Sequence, residues 1–246
     1  MIIKSFTRIF LAIALFNCQW LSVNGQLAVN LKQHITFLAS DSLHGRMTGS
    51  IDERKAADYI IEEFKKAGAT NTKGNFNSKK YLQHFIYHPK VDSVKTTVSG
   101  NNVVAFINNH AANTVILGAH YDHLGWGLAA HSTYRGEPAI HNGADDNASG
   151  VATIIEIARL LKSSSFTKNN YVFIAFSGEE LGLYGSKWFV EHTKLDSSKT
   201  DYMLNFDMVG RMDSNKLVIN GVGTSPACNE AMKDISPSFK IKTTES

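Results

Sequence analysis

Cysteine is nearly absent: Cys18 and Cys228 are the two in 246 residues. They are too few for a disulfide framework and show no Cys-x-x-Cys spacing, so the fold rests on packing, with metal as the remaining staple. Proline occurs at four positions, and with 43% hydrophobic and 19% charged residues the composition excludes a disordered or low-complexity chain. Charge of one sign is not in excess. Lys plus Arg number 25 against 22 for Asp plus Glu, a formal +3, and the basic residues are spread along the chain, which points away from a nucleic-acid partner. The apolar run at residues 9–16 is soon interrupted by Asn17 and Gln19 and falls short of the roughly 20 residues that a bilayer span needs, so no stable membrane span is expected. What is present is length: 246 residues suit one large α/β domain or at most two small ones.

Lys4 and Arg8 precede that apolar run, and small and polar residues follow up to Asn24-Gly25. This order reads as a secretory signal over residues 1–25, leaving 26–246 as a single domain in an exported, periplasmic or extracellular protein. A buried N-terminal helix is the alternative reading of the run. A lipid anchor at Cys18 is disfavoured because Phe16 and Asn17 are bulky for positions before a lipidated cysteine.

Helical spacing of apolar residues appears at 31–38 and at 56–67, where Ala56, Tyr59, Ile60, Phe64 and Ala67 share one face and Glu62, Glu63, Lys65 and Lys66 lie opposite, with Gly68 as the stop. Residues 70–80, rich in Asn, Lys, Gly and Ser, read as a loop. Short strand-like runs follow at 85–87, 103–107, 115–117, 172–176, 202–206 and 217–219, with helical patterns at 151–161 and 183–192. Strands alternating with helices predict an α/β fold with a largely parallel sheet covered on both faces.

In such sheets ligands bind outside the carboxyl ends of the strands, and the polar residues of this sequence gather there. One strand runs into His120-Tyr121-Asp122, a second into Ser177-Gly178-Glu179-Glu180, and a third into Asp207. His120 and Asp122, at i and i+2, leave an extended segment on the same side, so Asp122 can orient a metal-binding His120. Gly143-Ala144-Asp145-Asp146-Asn147-Ala148-Ser149-Gly150 opens the helix near Val151. Capping accounts for one or two of its polar side chains, and a carboxylate held there could also bridge two cations. Glu179 and Glu180 read as the first turn of a helix, where acids are favourable; equally, one could bind metal while the other faces substrate as general base. One imidazole and three carboxylates suit zinc or a similar divalent ion.

Four segments in order, Gly118-Ala119-His120-Tyr121-Asp122-His123-Leu124-Gly125, 143–150, Phe176-Ser177-Gly178-Glu179-Glu180-Leu181-Gly182-Leu183-Tyr184-Gly185-Ser186 and Asn205-Phe206-Asp207-Met208-Val209-Gly210-Arg211, resemble the metal-site motifs of the secreted dizinc aminopeptidases, the aminopeptidase Y and Streptomyces or Vibrio leucyl aminopeptidase type. Residues 37–49 resemble their N-terminal helix and loop, and the likeness covers roughly 31–220. It implies a three-layer αβα sandwich with a mostly parallel mixed central sheet, of the zinc-exopeptidase (phosphorylase/hydrolase-like) type. It also implies two zinc ions per intact domain: His120 and Asp207 on the first, Glu180 on the second, Asp146 bridging, Asp122 behind His120, and Glu179 as the general base acting on a metal-activated water. Peptide or protein N-termini are the implied substrates and a monomer the implied state.

The sequence departs from the pattern at one point. The family's second zinc takes a further histidine from a Ser-Asp-His segment near the C-terminus, and no histidine follows His192 here, which reads as truncation of the sequence. His141 and His192 are the nearest alternatives for that ligand. Competing readings are a glutaminyl-cyclase-like transferase with a single zinc and a non-catalytic peptidase-like receptor or scaffold. Substrate preference is expected to depend on the loop at 128–140.

Overall fold

Apolar residues alternate sides along the central strands, and two separate cores result. The computed structural model describes residues 25–72, 75–88, 97–127, 134–225, 227–228, 230 and 240–244. The proposed signal segment with Cys18, and residues 128–133 of the expected specificity loop, lie outside them. The chain divides into two compact units, 1–208 and 209–246.

In the first unit, residues 25–38 form α1, followed by α2 (Ile51–Lys66), β1 (Leu82–Tyr87), β2 (Val98–Ile107), β3 (Asn113–His120), α3 (Gly150–Lys162), β4 (Asn169–Phe176), α4 (Tyr184–His192) and β5 (Thr200–Asn205). Helix α2 starts where Ser50 Oγ accepts a hydrogen bond from Glu53 N and Glu53 Oε2 accepts one from Gly49 N, a reciprocal N-terminal cap. It ends at Gly68, whose φ of +80° is the left-handed conformation that closes a helix. Glu63 is not on the solvent face that its spacing predicts. It is buried between α2 and α3, where Lys66 Nζ (2.6 Å) and Arg159 (3.8 Å) supply the opposite charge that burial demands.

The sheet order is β1-β2-β4-β3-β5. Strands β4, β3 and β5 are mutually parallel, and β2 runs antiparallel to both β1 and β4, so the sheet is mixed but mostly parallel. One face packs Val103, Leu117 and Phe173 against Ile60 and Phe64 of α2 and Ile154 and Ile155 of α3. The opposite face packs Val104, Ile116 and Ile174 against Phe189 of α4. Period-two alternation in the strands thus feeds both layers, giving the expected αβα sandwich. Strand β5 differs from its expected burial: Met203 and Leu204, on opposite faces, are half exposed, and among the described residues the strand pairs with β3 alone.

In the second unit, β6 (Lys216–Ile219) and β7 (Lys240–Thr243) pair in parallel, and Gly221 N and Val222 N donate to Thr244 O. The strand expected at 217–219 is β6; β7 has no counterpart among the predicted strands.

Candidate metal centre

Three parallel neighbours decide where the site lies. In the register of the sheet, His120 at the end of β3 is level with Phe176 of β4, and Gly118 is level with Asn205 of β5, so their carboxyl ends open at one edge. The chain passes from β3 through α3 to β4 on one side, then through α4 to β5 on the other side of β3, with α3 and α4 on opposite faces of the sheet. Such a reversal leaves a crevice at the strand ends.

His120 is buried, with Nε2 3.0 Å from Asp146 Oδ1, 3.5 Å from Asp207 Oδ1 and 4.0 Å from Glu179 Oε2. Its Nδ1 lies 3.2 Å from the carbonyl oxygen of Asp122 and 3.7 Å from that residue's Oδ1. The ring is therefore held by the Asp122 backbone, and the carboxylate stands just beyond hydrogen-bond reach. That carboxylate, fully buried, takes other donors: Thr48 Oγ1 to Oδ2 (2.8 Å), Glu179 N to Oδ1 (3.1 Å) and Glu180 N to Oδ2 (3.3 Å). Asp122 thus anchors the turn that carries the glutamate pair.

That turn is not the start of a helix. Glu179 and Glu180 lie in residues 177–183, and α4 begins at Tyr184. With the backbone irregular, the two side chains diverge: Glu179 lines a cleft of about 220 Å³ with His120, Phe176, Leu183, Met203 and Asp207, while Glu180 meets His123.

The acid-rich segment resolves its two readings by dividing the work. Asn147 Oδ1 accepts the hydrogen bond of Gly150 N, so the asparagine caps α3, and Asn147 Nδ2 donates to Phe206 O, tying the segment to the end of β5. Asp145 carbonyl oxygen accepts from Ser149 Oγ. Asp146, joined to Asn147 by a cis peptide bond, is left pointing at His120.

Two ligand groups result. His120, Asp146 and Asp207 form one, and His123, Asp146 and Glu180 the other; within each, the candidate ligand atoms lie within 4.8 Å of one another. Asp146 is common to both. Each group offers one imidazole nitrogen and two carboxylates, a donor set that zinc accepts and that leaves a coordination position open. His123 Nδ1 and Glu180 Oε1, both buried, lie 2.5 Å from each other. The electrostatics agree. Burial alone would lower the pKa of His120, but Asp122, Asp146 and Asp207 push it up to about 12. The same imidazole draws Asp146 below the usual carboxylate range, against the opposing effect of burial. Glu179 is raised by burial and by Asp122, Glu180 and Asp207, with His120 opposing.

Three contributors escape a reading of the sequence motifs. His123 stands inside the quoted motif without a role there. Thr48 supports Asp122. Arg46 is fully buried and donates to four carbonyl oxygens, of Tyr121, Leu38, Asn142 and Gly143, tying the end of α1 to the two loops that carry His120 and Asp146. Burial brings its pKa down to about 10, against the pull of Asp122, Asp146 and Glu180. The signal for Arg46 is weak: a lone arginine between Gly45 and Met47 at the end of a helical stretch. The two histidines weighed as alternatives join neither group. His141 lies beside His123, with ring centroids 6.5 Å apart, and packs on Tyr134; His192 stacks on Trp188 of α4.

With the fold and this double carboxylate-histidine constellation established, the class is a metallohydrolase-like α/β protein. The chain belongs to peptidase family M28, whose profile matches residues 102–245. The alkaline phosphatase isozyme conversion protein of Escherichia coli is 31% identical over 193 residues, covering 77% of this chain and 54% of that protein. Leucine aminopeptidase 1 of Arthroderma gypseum is 29% identical over 198 residues, covering 77% and 48%. The chain thus spans about half the length of the curated relatives it matches. A Zn-dependent exopeptidase from Parabacteroides distasonis shares the fold, with a TM-score of 0.66 at 18% identity over 88% of this chain and 75% of that one. So does the glutaminyl cyclase of Porphyromonas gingivalis, with a TM-score of 0.64 at 18% identity over 89% and 76%.

Proposed function

We propose that this chain is the catalytic part of a zinc-dependent aminopeptidase that removes N-terminal residues from peptides or proteins. The observation that carries this reading is the pair of ligand groups sharing Asp146 beside a cleft that Glu179 lines. His120, Asp146 and Asp207 would hold one divalent ion, and Asp146 with Glu180 would contribute to a second. Ions so held supply Lewis-acid activation of a water and polarisation of the scissile carbonyl. Glu179 is the general base: its carboxylate takes a proton from the attacking water at Oε2, the oxygen facing His120, and delivers it to the leaving amine. Asp122 keeps Glu179 in place through the backbone N–H it accepts. Phe176, Leu183 and Met203 offer the apolar wall against which the N-terminal side chain packs. Export follows the same reading, supported by the order of Lys4, Arg8 and the apolar run at 9–16.

A glutaminyl-cyclase-like transferase is the second reading, favoured by the shared fold. The sharing of Asp146 between two groups supports a two-ion peptidase instead. Hydrolysis of aminoacyl-nitroanilides by the chain, with its metal content, tests the choice. Glu179→Gln is expected to keep the metal and lose roughly 10²–10⁴ in rate, the usual contribution of a general base. Unchanged hydrolysis in that variant would remove Glu179 from its role. Cyclisation of N-terminal glutamine without peptide hydrolysis, at one zinc per chain, would replace the peptidase reading.

A further inference from the structure

We propose that Glu53 is a positioning residue for Glu179: from beneath the site it sets the turn at 177–183 that carries the general base. The proposal deepens the metallopeptidase reading and rests on it for the role of Glu179. The placement of the turn itself does not depend on that role.

Glu53, in the first turn of α2, is 3% exposed, a burial that a carboxyl group tolerates where its oxygens are satisfied. Those oxygens reach two of the segments that hold the site. Oε2 accepts from Gly49 N at 2.7 Å, and next to Gly49 stands Thr48, whose hydroxyl donates to Asp122. Oε1 meets the hydroxyl of Ser177 and, at 3.2 Å, that of Tyr121. The single Tyr121 proton has a nearer acceptor in Asn101 O at 2.7 Å, so Ser177 is the principal partner of Oε1. Ser177, fully buried, is the root of the glutamate turn. Its N–H donates to Asn102 Oδ1 (3.1 Å), its carbonyl accepts from Gly185 N (3.0 Å), and Asn102 Nδ2 donates to Gly185 O (2.8 Å), so both ends of the turn close on one asparagine. A Cβ at Gly100 would come within 2.6 Å of Ser177 Oγ, and this close approach leaves the hydroxyl little room to turn elsewhere. Asp122 holds the middle of the turn through Glu179 N and Glu180 N. Glu53 thus touches both supports of Glu179: Ser177 at the root, and the 48–49 segment behind Asp122. The groups that touch it are neutral, and the charge acting on it, that of Asp122, has the same sign, so hydrogen bonds hold the carboxyl in place. Glutamine can make the same contacts, its carbonyl oxygen accepting from Gly49 N and its amide donating to Ser177 Oγ; leucine can make neither.

The test uses the chelator-treated full chain and amide hydrogen exchange read by NMR at Glu179 and Glu180, with Leu117 and Ile174 of the central strands as reference. In Glu53→Leu and in Ser177→Ala the two glutamate amides are expected to exchange about tenfold or more faster relative to the reference, while Glu53→Gln stays within about threefold of the parent. Equal acceleration at all four positions, or none, would overturn the proposal, because a residue that only stabilises the fold shifts amides that exchange by global unfolding together. In the zinc-loaded chain, Glu53→Leu is expected to lower kcat for aminoacyl-nitroanilide hydrolysis by about 10–100-fold with KM within about twofold, and the loss should vanish in a Glu179→Gln background. A loosened turn with unchanged kcat, or a loss that persists in the Glu179→Gln background, would overturn the link to Glu179. Full activity of Glu179→Gln by itself would overturn the reading of Glu179 as general base, whereas the exchange rates test the turn without metal or hydrolysis. Ser177→Ala removes one oxygen and keeps the backbone bonds, so it decides the matter where Glu53→Leu does not fold.

Discussion

Replacing Asp122 by asparagine isolates what this buried carboxylate does. Its two oxygens accept from Thr48 Oγ1, Glu179 N and Glu180 N at 2.8, 3.1 and 3.3 Å. An amide nitrogen in the position of Oδ1 faces the N–H of Glu179, donor against donor. In the position of Oδ2 it faces the N–H of Glu180, while the Thr48 hydroxyl can rotate to accept. Either orientation loses at least one hydrogen bond to a charged group and strands a buried N–H, each worth about 1–3 kcal/mol. The expected destabilisation is about 2–4 kcal/mol, which for a chain of this size lowers Tm by roughly 4–16 °C. Calorimetry on chelator-treated protein is the assay, because it reads the hydrogen bonds without the contribution of a bound ion. Thr48→Val, which removes one of the three donors, should lower stability by about 1 kcal/mol. Activity should fall further than stability alone explains, since a displacement of about 1 Å at Glu179 can cost on the order of 10²-fold. A Tm within about 1 °C of the parent for Asp122→Asn would refute the anchoring role. A lowered Tm with unchanged kcat would confine Asp122 to stability.

Arg46→Lys replaces a five-donor fork by three donors on a point charge, so one or more of the four carbonyls loses its partner. A loss of about 2–3 kcal/mol in denaturant unfolding is expected, and an unchanged midpoint would mean that the loops are held by other contacts. Glu53 is buried and receives hydrogen bonds from Ser177, Gly49 and Tyr121; burial, partly opposed by those bonds, raises its pKa from the ordinary 4.5 to about 7. Its native form binds a proton more tightly than its unfolded form, so the associated stability is fully present below about pH 4.5 and is lost as pH rises through about 7. The loss is about 3 kcal/mol. The stability difference between the parent and Glu53→Gln, followed by urea titration across that window, should decline by about this amount, and a flat difference would refute the assignment.

Local pattern alone determines much of this protein. The continuous apolar runs at 115–117 and 172–174 mark central strands because burial on both faces leaves no room for polar side chains. Ser50 and Gly68 bracket α2 through backbone hydrogen bonding and left-handed geometry that depend on a few adjacent residues. The residue types that end β3, β4 and β5 also stand in plain view, and with them His120, Glu179, Glu180 and Asp207. Other features are tertiary. Strand order places β4 and β5 on either side of β3 and so brings residues 120, 146, 180 and 207 together across 87 positions of chain, and no local periodicity encodes that order. The irregular turn at 177–183, held by Asp122, sends Glu179 and Glu180 in different directions where a helical reading had put them in a first turn. Glu63 is buried because Lys66 and Arg159 meet it there. Asn147, by capping α3, leaves Asp146 free to face both histidines. His123 looks like any loop histidine in the sequence; only the fold sets it 2.5 Å from Glu180, 57 residues further along.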